Sequence, residues 1–305
     1  MSNKWNLAQV PAQPGRVAVV TGANIGLGYE TALELARKDL TVMLACRNVS
    51  KAEAAKARIV QAYPSAKVEC LPLDLSSLRS VREFAADFRQ QHEKLDLLIN
   101  NAGIMMPPQA VSADGFELQL ATNYLGHFAL TGLLLPLLVA TPGSRVVSVS
   151  SLSYKWAEID FADLQAKKGY SRRKAYGQSK RACLVFAYEL QRRLAAAGYG
   201  TQSVAAHPGL AKTNLDQYFP ALIRPLGSLF LQPAAQGALP LLHAALAPTI
   251  QGGEFIGPDG FQQMRGQPVR VDSDGNSKDP RVAARLWQAS EELTKCLYLN
   301  GAGDN

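Results

Sequence analysis

Short unbroken blocks of small or β-branched residues recur along the chain, with stretches of helical periodicity between them. Val17-Ala18-Val19-Val20 is the first block. Thr41–Cys46, Lys67–Leu71, Leu95–Ile99, Arg145–Ser151, Gln202–Ala206 and Glu254–Ile256 follow. Apolar runs without alternation predict strands covered on both faces, as in a parallel sheet. Helical patterns span Tyr29–Ala36, about Ser50–Ala62, Val81–Phe88, the segment around Asn123, Tyr176–Leu194 and Ala234–Ala245. Pro64 stops the second of these, and a last amphipathic helix covers Asp279–Lys295. Strands alternating with helices in this way predict an α/β fold. No repeat and no low-complexity linker interrupts the pattern. The expectation is therefore a tail over residues 1–14 and one domain over 15–305.

Candidate chemistry gathers where the predicted strands end. The first block runs into Thr21-Gly22-Ala23-Asn24-Ile25-Gly26-Leu27-Gly28, a glycine turn that opens a helix. Glycines let the backbone approach a ligand, and the helix start aims free N–H groups at it, which suits a pyrophosphate. A glycine turn after a strand is also a common structural device. After the second strand, an acid would bind the 2′-hydroxyl of an adenosine ribose and repel a 2′-phosphate. Cys46 stands there instead, followed by Arg47 and Asn48, so a phosphorylated ribose is expected. Asp74 either starts a turn, caps the helix around Val81–Phe88, or hydrogen-bonds an adenine. The fourth strand ends in Asn100-Asn101-Ala102-Gly103, whose amides offer donors and acceptors.

Asn123 lies inside an apolar helix, where its amide needs partners. It is either a satisfied core residue or part of a proton path. His127 reads as structural. Tyr176 and Lys180 stand four apart on one helix face. An ammonium beside a phenol favours the phenolate, which makes the tyrosine a usable general acid or base. After the sixth strand come His207-Pro208-Gly209 and Thr213. The following segment holds Leu215, Tyr218, Phe219, Leu222, Ile223, Leu226, Leu229, Phe230 and Leu231, broken by Pro220, Pro225 and Gly227. It reads as a flap over about 213–232, or as a buried irregular stretch. The basic cluster Lys167, Lys168, Arg172, Arg173 and Lys174 reads as a solvated loop.

The chain has 305 residues, 47% of them hydrophobic and 19% charged, enough for a full core and too few charges for disorder. The formal charge of +7 comes without a nucleic-acid motif, so a basic surface suited to an anionic cofactor is the expectation, and no nucleic acid. The four cysteines form no C-x-x-C pair, and no metal-ligand spacing occurs. The residues from Met1 to Gly15 contain no apolar signal core, and the most apolar run, Phe128–Ala140, is too short for a bilayer. A soluble, cytoplasmic protein without a transmembrane segment is expected. Peripheral membrane contact and homo-oligomerisation both stay open.

Taken in order, Thr21-Gly22-x3-Gly26-x-Gly28, Asn100-Asn101-Ala102-Gly103, Asn123, Ser151, Tyr176-x3-Lys180 and Pro208-Gly209-x3-Thr213 resemble the short-chain dehydrogenase/reductase family. Leu44-Ala45-Cys46-Arg47-Asn48, the long gap from Ser151 to Tyr176, and Ala284-Arg285-Leu286-Trp287 are similar to its retinol-dehydrogenase-like branch. Gly257-Pro258-Asp259-Gly260-Phe261 departs from that branch, as does the absence of an amino-terminal anchor, so retinoids as such are not expected as substrates. The resemblance implies a doubly wound, Rossmann-type sheet that binds NADP(H) and interconverts a lipophilic carbonyl and its alcohol. It implies that Tyr176 transfers the proton, Lys180 assists its ionisation and holds the nicotinamide ribose, and Ser151 polarises the substrate oxygen. Asn123 would hold a water linking Lys180 to solvent. Gly22, Asn24, Ile25, Gly26, Gly28, Arg47, Asn48, Asp74, Leu75, Asn101, Ala102, Gly103, Tyr176, Lys180, Pro208, Gly209 and Thr213 would contact the cofactor. The rival from another class is a catalytically inactive dinucleotide sensor or scaffold of the same fold.

Overall fold

A computed structural model describes residues 5–211 and 231–299. Thr213 and most of the expected flap lie outside the described residues. In chain order the main elements are β1 (Val17–Thr21), α1 (Gly26–Arg37), β2 (Thr41–Cys46), α2 (Val49–Ala62), β3 (Lys67–Pro72), α3 (Leu78–Gln91) and β4 (Leu97–Asn100). They continue with α4 (Leu118–Ala140), β5 (Arg145–Val149), α5 (Arg172–Ala196), β6 (Gln202–Ala206), α6 (Ala234–Leu246), β7 (Phe255–Pro258), β8 (Pro268–Val271), α7 (Gly275–Lys278) and α8 (Pro280–Thr294).

The sheet order is β3-β2-β1-β4-β5-β6-β7-β8. The chain winds outward from β1 to β3, then returns beside β1 with β4 and winds the other way. The crevice between β1 and β4, at their carboxyl ends, is the switch point where such sheets bind ligands. All five residues of β1 are buried, because helices cover both faces. One core packs α1, α2 and α6 against the sheet. The other packs α3, α4, α5 and α8, with Trp287 of α8 lying 5.1 Å from the Phe128 ring and 6.0 Å from the Phe186 ring.

Several expectations are corrected. The strand near Glu254–Ile256 does not complete the sheet: β8 pairs with β7 antiparallel, so the sheet is mostly, not wholly, parallel. The reversal is held by Asp259 N–H on Gln267 O and Gly260 N–H on Arg265 O. Ser77, not Asp74, caps α3; the Asp74 carboxylate instead accepts from the N–H and hydroxyl of Ser76, closing a turn. The apolar run after Phe128 belongs to a 23-residue helix, α4, which is long and apolar enough to cross a membrane by length and composition. In this fold it packs on the sheet beside α3 and α5, and its polar residues Asn123, His127 and Thr131 all make internal hydrogen bonds. Residues Ala121–Leu125 of α4 form a π turn, a distortion that often marks functional sites.

Arg181 of α5 fixes the segment that follows β5. Its Nε donates to Ala157 O (2.7 Å) and Tyr154 O (3.2 Å), and its two terminal nitrogens grip Asp274 in a fork.

Candidate active site

At the end of β1, Gly22 and Gly26 have φ of +66° and +59°, which the turn into α1 requires. Ile25 precedes α1 and provides no side-chain cap, so the first-turn N–H groups are open to a ligand. A Cβ on Gly26 would meet nothing within 4 Å, so the space above the turn is free. These features fit a pyrophosphate. Asn101 holds the turn from behind: its amide donates to Thr21 O at 2.8 Å, so that side chain ties strand ends together instead of facing a ligand. The N–H groups of Asn101 and Ala102 both donate to Thr21 Oγ1 at 2.9 Å.

At the adenosine end, Cys46 is buried, and burial pushes its thiol up to about 11. It presents a small neutral surface there. Arg47 and Asn48 are exposed; Asn48 caps α2 by accepting from Lys51 N–H. Sequence reasoning missed Arg58. From α2 its guanidinium donates to Asn24 O at 3.1 Å and lies 4.2 Å above the Tyr29 ring, putting a second cation at the glycine turn. On the sequence it is one more polar helix residue, and no spacing marks it. Leu75 is buried in the core, and its carbonyl packs against Gly126 of α4, where a Cβ would stand 2.3 Å away.

The catalytic candidates converge at the other end. Tyr176 and Lys180 are both buried on α5. Lys180 Nζ donates to Val149 O, the last carbonyl of β5, at 3.0 Å. A Cβ on Gly103 would stand 3.4 Å from that Nζ and 3.2 Å from Asn123 Oδ1. The β4 end, α4 and α5 therefore meet at one point. The two serines after β5 are divided in role. Ser150 is buried and donates to Lys180 O at 2.8 Å, whereas Ser151 is half-buried and its Oγ accepts from Ser153 N–H. The Ser151 proton is left available to a substrate oxygen, which supports the choice of Ser151.

Asn123 departs from the water-holding role. Its Oδ1 accepts from Ile104 N–H at 2.8 Å, and its amide donates to Ile104 O and to Ser179 Oγ. Its main-chain oxygen accepts from His127 Nδ1 and Cys183 Sγ. The residue positions the 101–106 loop against α5. Nearby, Gln119 Oε1 accepts from Met106 N–H at 2.8 Å and holds the far side of that loop.

Trp156 also escaped notice, since no spacing marks it. Its ring lies 6.2 Å from the Tyr176 ring, is 40% exposed, and carries the Arg173 guanidinium 4.6 Å away. The basic cluster is exposed as expected, although Arg172, Arg173 and Lys174 form the first turn of α5, not a loop. Beyond β6, Gly209 has φ +66° and sits so close to the β7–β8 connection that a Cβ would be 2.3 Å from Met264 O. Gln232 Nε2 donates to Pro208 O at 2.7 Å, and Ala211 pairs with Gln232. The described ends of the apolar segment thus meet beside the Pro208-Gly209 turn. Among the described residues no group of three His, Cys, Asp or Glu could hold a metal.

The family model described as short chain dehydrogenase matches residues 16–221. Retinol dehydrogenase 12 of Homo sapiens is 42% identical over 282 residues, covering 92% of this chain and 86% of that one. Polyprenol dehydrogenase of Mus musculus is 40% identical over 306 residues, covering 97% and 88%. A crystal structure of an uncharacterized protein from Mycobacterium Paratuberculosis superposes with a TM-score of 0.79 at 42% identity, covering 96% and 98%.

Proposed function

The chain belongs to the short chain dehydrogenase family, and from that premise we propose that it moves a hydride between NADP(H) and a lipophilic aldehyde, ketone or alcohol. One observation carries the reading: Lys180 Nζ, one turn of α5 from Tyr176, sits on Val149 O two residues before Ser151, at the same carboxyl edge of the sheet that carries the glycine turn and its uncapped helix.

NADPH, when bound, supplies the hydride that reaches the carbonyl carbon. The protein handles position and proton. Ser151 donates a hydrogen bond to the carbonyl oxygen and polarises it. The Tyr176 hydroxyl delivers the proton to that oxygen, and the Lys180 ammonium, anchored on Val149 O, stabilises the phenolate that remains. The reverse reaction uses the same groups with Tyr176 as base.

Preference for the phosphorylated cofactor is supported by Cys46, which brings no acid to the end of β2, and by the exposed Arg47 beside it. A lipophilic substrate is supported by the sequence from Leu215 to Leu231, which holds nine large apolar side chains and only two charges, Asp216 and Arg224. Relatives named for retinol and polyprenol, both hydrocarbon alcohols, agree with this. The test is a homologous aldehyde and alcohol series followed by NADPH absorbance. Efficiency should rise with chain length, since each buried methylene contributes up to about 0.8 kcal/mol. A flat profile would overturn the substrate reading, and no turnover on any member would overturn the enzyme reading.

A further inference from the structure

The hydrogen bonds around His127 leave one arrangement of protons. Its Nδ1 lies 2.9 Å from Asn123 O, and its Nε2 lies 2.9 Å from Thr21 Oγ1. A carbonyl oxygen only accepts, so Nδ1 carries the proton. In the neutral ring Nε2 is then a bare lone pair, and the Thr21 hydroxyl must donate to it. That hydroxyl lies 3.3 Å from Ile99 O, a longer and poorer acceptor. Thr21 Oγ1 already accepts from the N–H of Ala102 and from that of Asn101, which it shares with Ile99 O, so it is occupied as an acceptor. A second ring proton on Nε2 would meet no acceptor.

The ring is 3% exposed, and burial pushes its imidazole down to about 4, which keeps it neutral. The π turn of α4 re-aims its carbonyls, and that of Asn123 takes side-chain donors from His127 and Cys183. Beyond Asn123 the chain continues. The Asn123 amide donates to Ser179 Oγ at 2.9 Å, and the Ser179 hydroxyl donates to Tyr176 O at 2.8 Å. Every link from Thr21, one residue before Gly22, to the backbone of Tyr176 is buried and has a fixed direction.

We propose that His127 is a positioning residue: as a neutral Nδ1–H tautomer it locks the glycine turn at the end of β1 to the helix that carries Tyr176. The proposal rests on the functional reading of that turn and of Tyr176. Any buried histidine needs partners for its ring nitrogens; here the two partners belong to the two halves of the site. The coupling is directional, so the two halves can be cut separately. His127→Asn retains a donor near the Nδ1 position and loses the acceptor for Thr21. His127→Gln retains an acceptor near the Nε2 position and loses the donor to Asn123.

The test uses the full chain labelled with nitrogen-15 in histidine, with the His127→Asn spectrum assigning the signal. The expected result is a protonated Nδ1 and a bare Nε2 that do not titrate between pH 8 and pH 5.5. A protonated Nε2, or a ring that titrates in that range, overturns the proposal without requiring any variant to fold. Kinetics supply the second arm. His127→Asn should weaken NADPH binding about ten-fold with a smaller change in kcat. His127→Gln should lower kcat about ten-fold with NADPH affinity nearly unchanged, each being the loss of one buried hydrogen bond. If a folded His127→Leu keeps both quantities within about two-fold, His127 is packing only. Should the parent turn over no carbonyl, the functional reading fails alone, because the nitrogen spectrum and the NADPH affinities still decide for or against the lock.

Discussion

The carbonyl oxygen of Gly22 and the α-carbon of Gly28 are packed so tightly that a Cβ on Gly28 would stand 2.4 Å from that oxygen. It would also stand 2.5 Å from the amide of Asn101, which is committed to Thr21. Gly28→Ala must therefore push α1 off the strand end. It should lower Tm by several degrees and abolish measurable NADPH binding. Gly26→Ala meets open space and pays only for a left-handed residue, about 1–2 kcal/mol. It should leave a folded protein that binds NADPH poorly, since its methyl occupies the ligand's place. Thermal melts and cofactor titration separate the two; a larger Tm loss for Gly26→Ala would refute the packing argument.

Tyr176→Phe keeps the buried ring beside Trp156 and removes the oxygen that transfers the proton. Turnover should fall at least about a thousand-fold, consistent with loss of general acid catalysis, while NADPH affinity and Tm stay near the parent's. Ser151→Ala should lower kcat, and Ser150→Ala should instead lower Tm, because Ser150 is tied to Lys180 O. Steady-state kinetics beside melts would expose an exchange of roles between the two serines.

An arginine–phosphate contact contributes roughly 1.5–3 kcal/mol. Arg47→Ala should therefore weaken NADPH binding about ten- to a hundred-fold and leave NADH unchanged. Cys46→Asp with Arg47→Ala should reverse the preference. Arg58→Ala should weaken both cofactors, since Arg58 braces Asn24 within the turn they share. Equal affinity of the parent for NADPH and NADH at fixed ionic strength would sink the assignment.

Burial lowers His127, His207 and His243 each to about 4. The unfolded chain takes up these protons near pH 6.5 and the folded chain only near pH 4. Their neutral burial therefore stabilises the fold fully above pH 6.5, and that contribution is lost as pH falls through the window to 4. Each should cost roughly 2 kcal/mol between pH 7 and pH 5. Urea midpoints over that range should fall steeply. His243→Phe, which keeps a ring stacked on Trp5, should flatten the slope; an unchanged slope would show that His243 takes no part.

Arg181 is buried and satisfies three groups that have no other cation: Tyr154 O, Ala157 O and the Asp274 carboxylate. Arg181→Met leaves the Tyr154 and Ala157 carbonyls without this donor and Asp274, which keeps the Ser277 N–H, without its cation, and should cost about 1–3 kcal/mol. The segment holding Ser151 and Trp156 would lose its anchor, so kcat should drop in the fraction that remains folded. Denaturant titration with activity at each midpoint checks both.

The central strands β1, β2 and β4 were legible because each is an almost wholly buried apolar run, whereas β3, with exposed Lys67 and half-buried Glu69, was legible only from its place between two helical stretches. β8 was not: Pro268-Val269-Arg270-Val271 begins with proline, alternates, and lies half-buried at an edge. The glycine turn, Tyr176 and Lys180 were legible from fixed spacings that the chemistry demands. Arg58 and Trp156 were not, because they reach the site through folding and through no spacing of their own. Asn101, Ser150 and Asn123 show a further limit. Residue type reveals which hydrogen bonds a side chain can make, and only the packed structure reveals which of them are already spent on protein.

The π turn at Ala121–Leu125 spends one residue more than an ordinary helical turn would. Loss of a single residue there would let the backbone heal into a regular helix, so the fold itself need not protest. The flanks would keep their faces, because the wide turn absorbs the extra residue, and only the 121–125 turn itself would be redrawn. Asn123, which ties Ile104 and Ser179 from within that turn, would be re-aimed, whereas Glu117 would still cap the helix start. In this stretch the number of residues matters as well as their identity: a one-codon deletion would leave a helix of unchanged course whose turn no longer presents Asn123 to the 101–106 loop and α5.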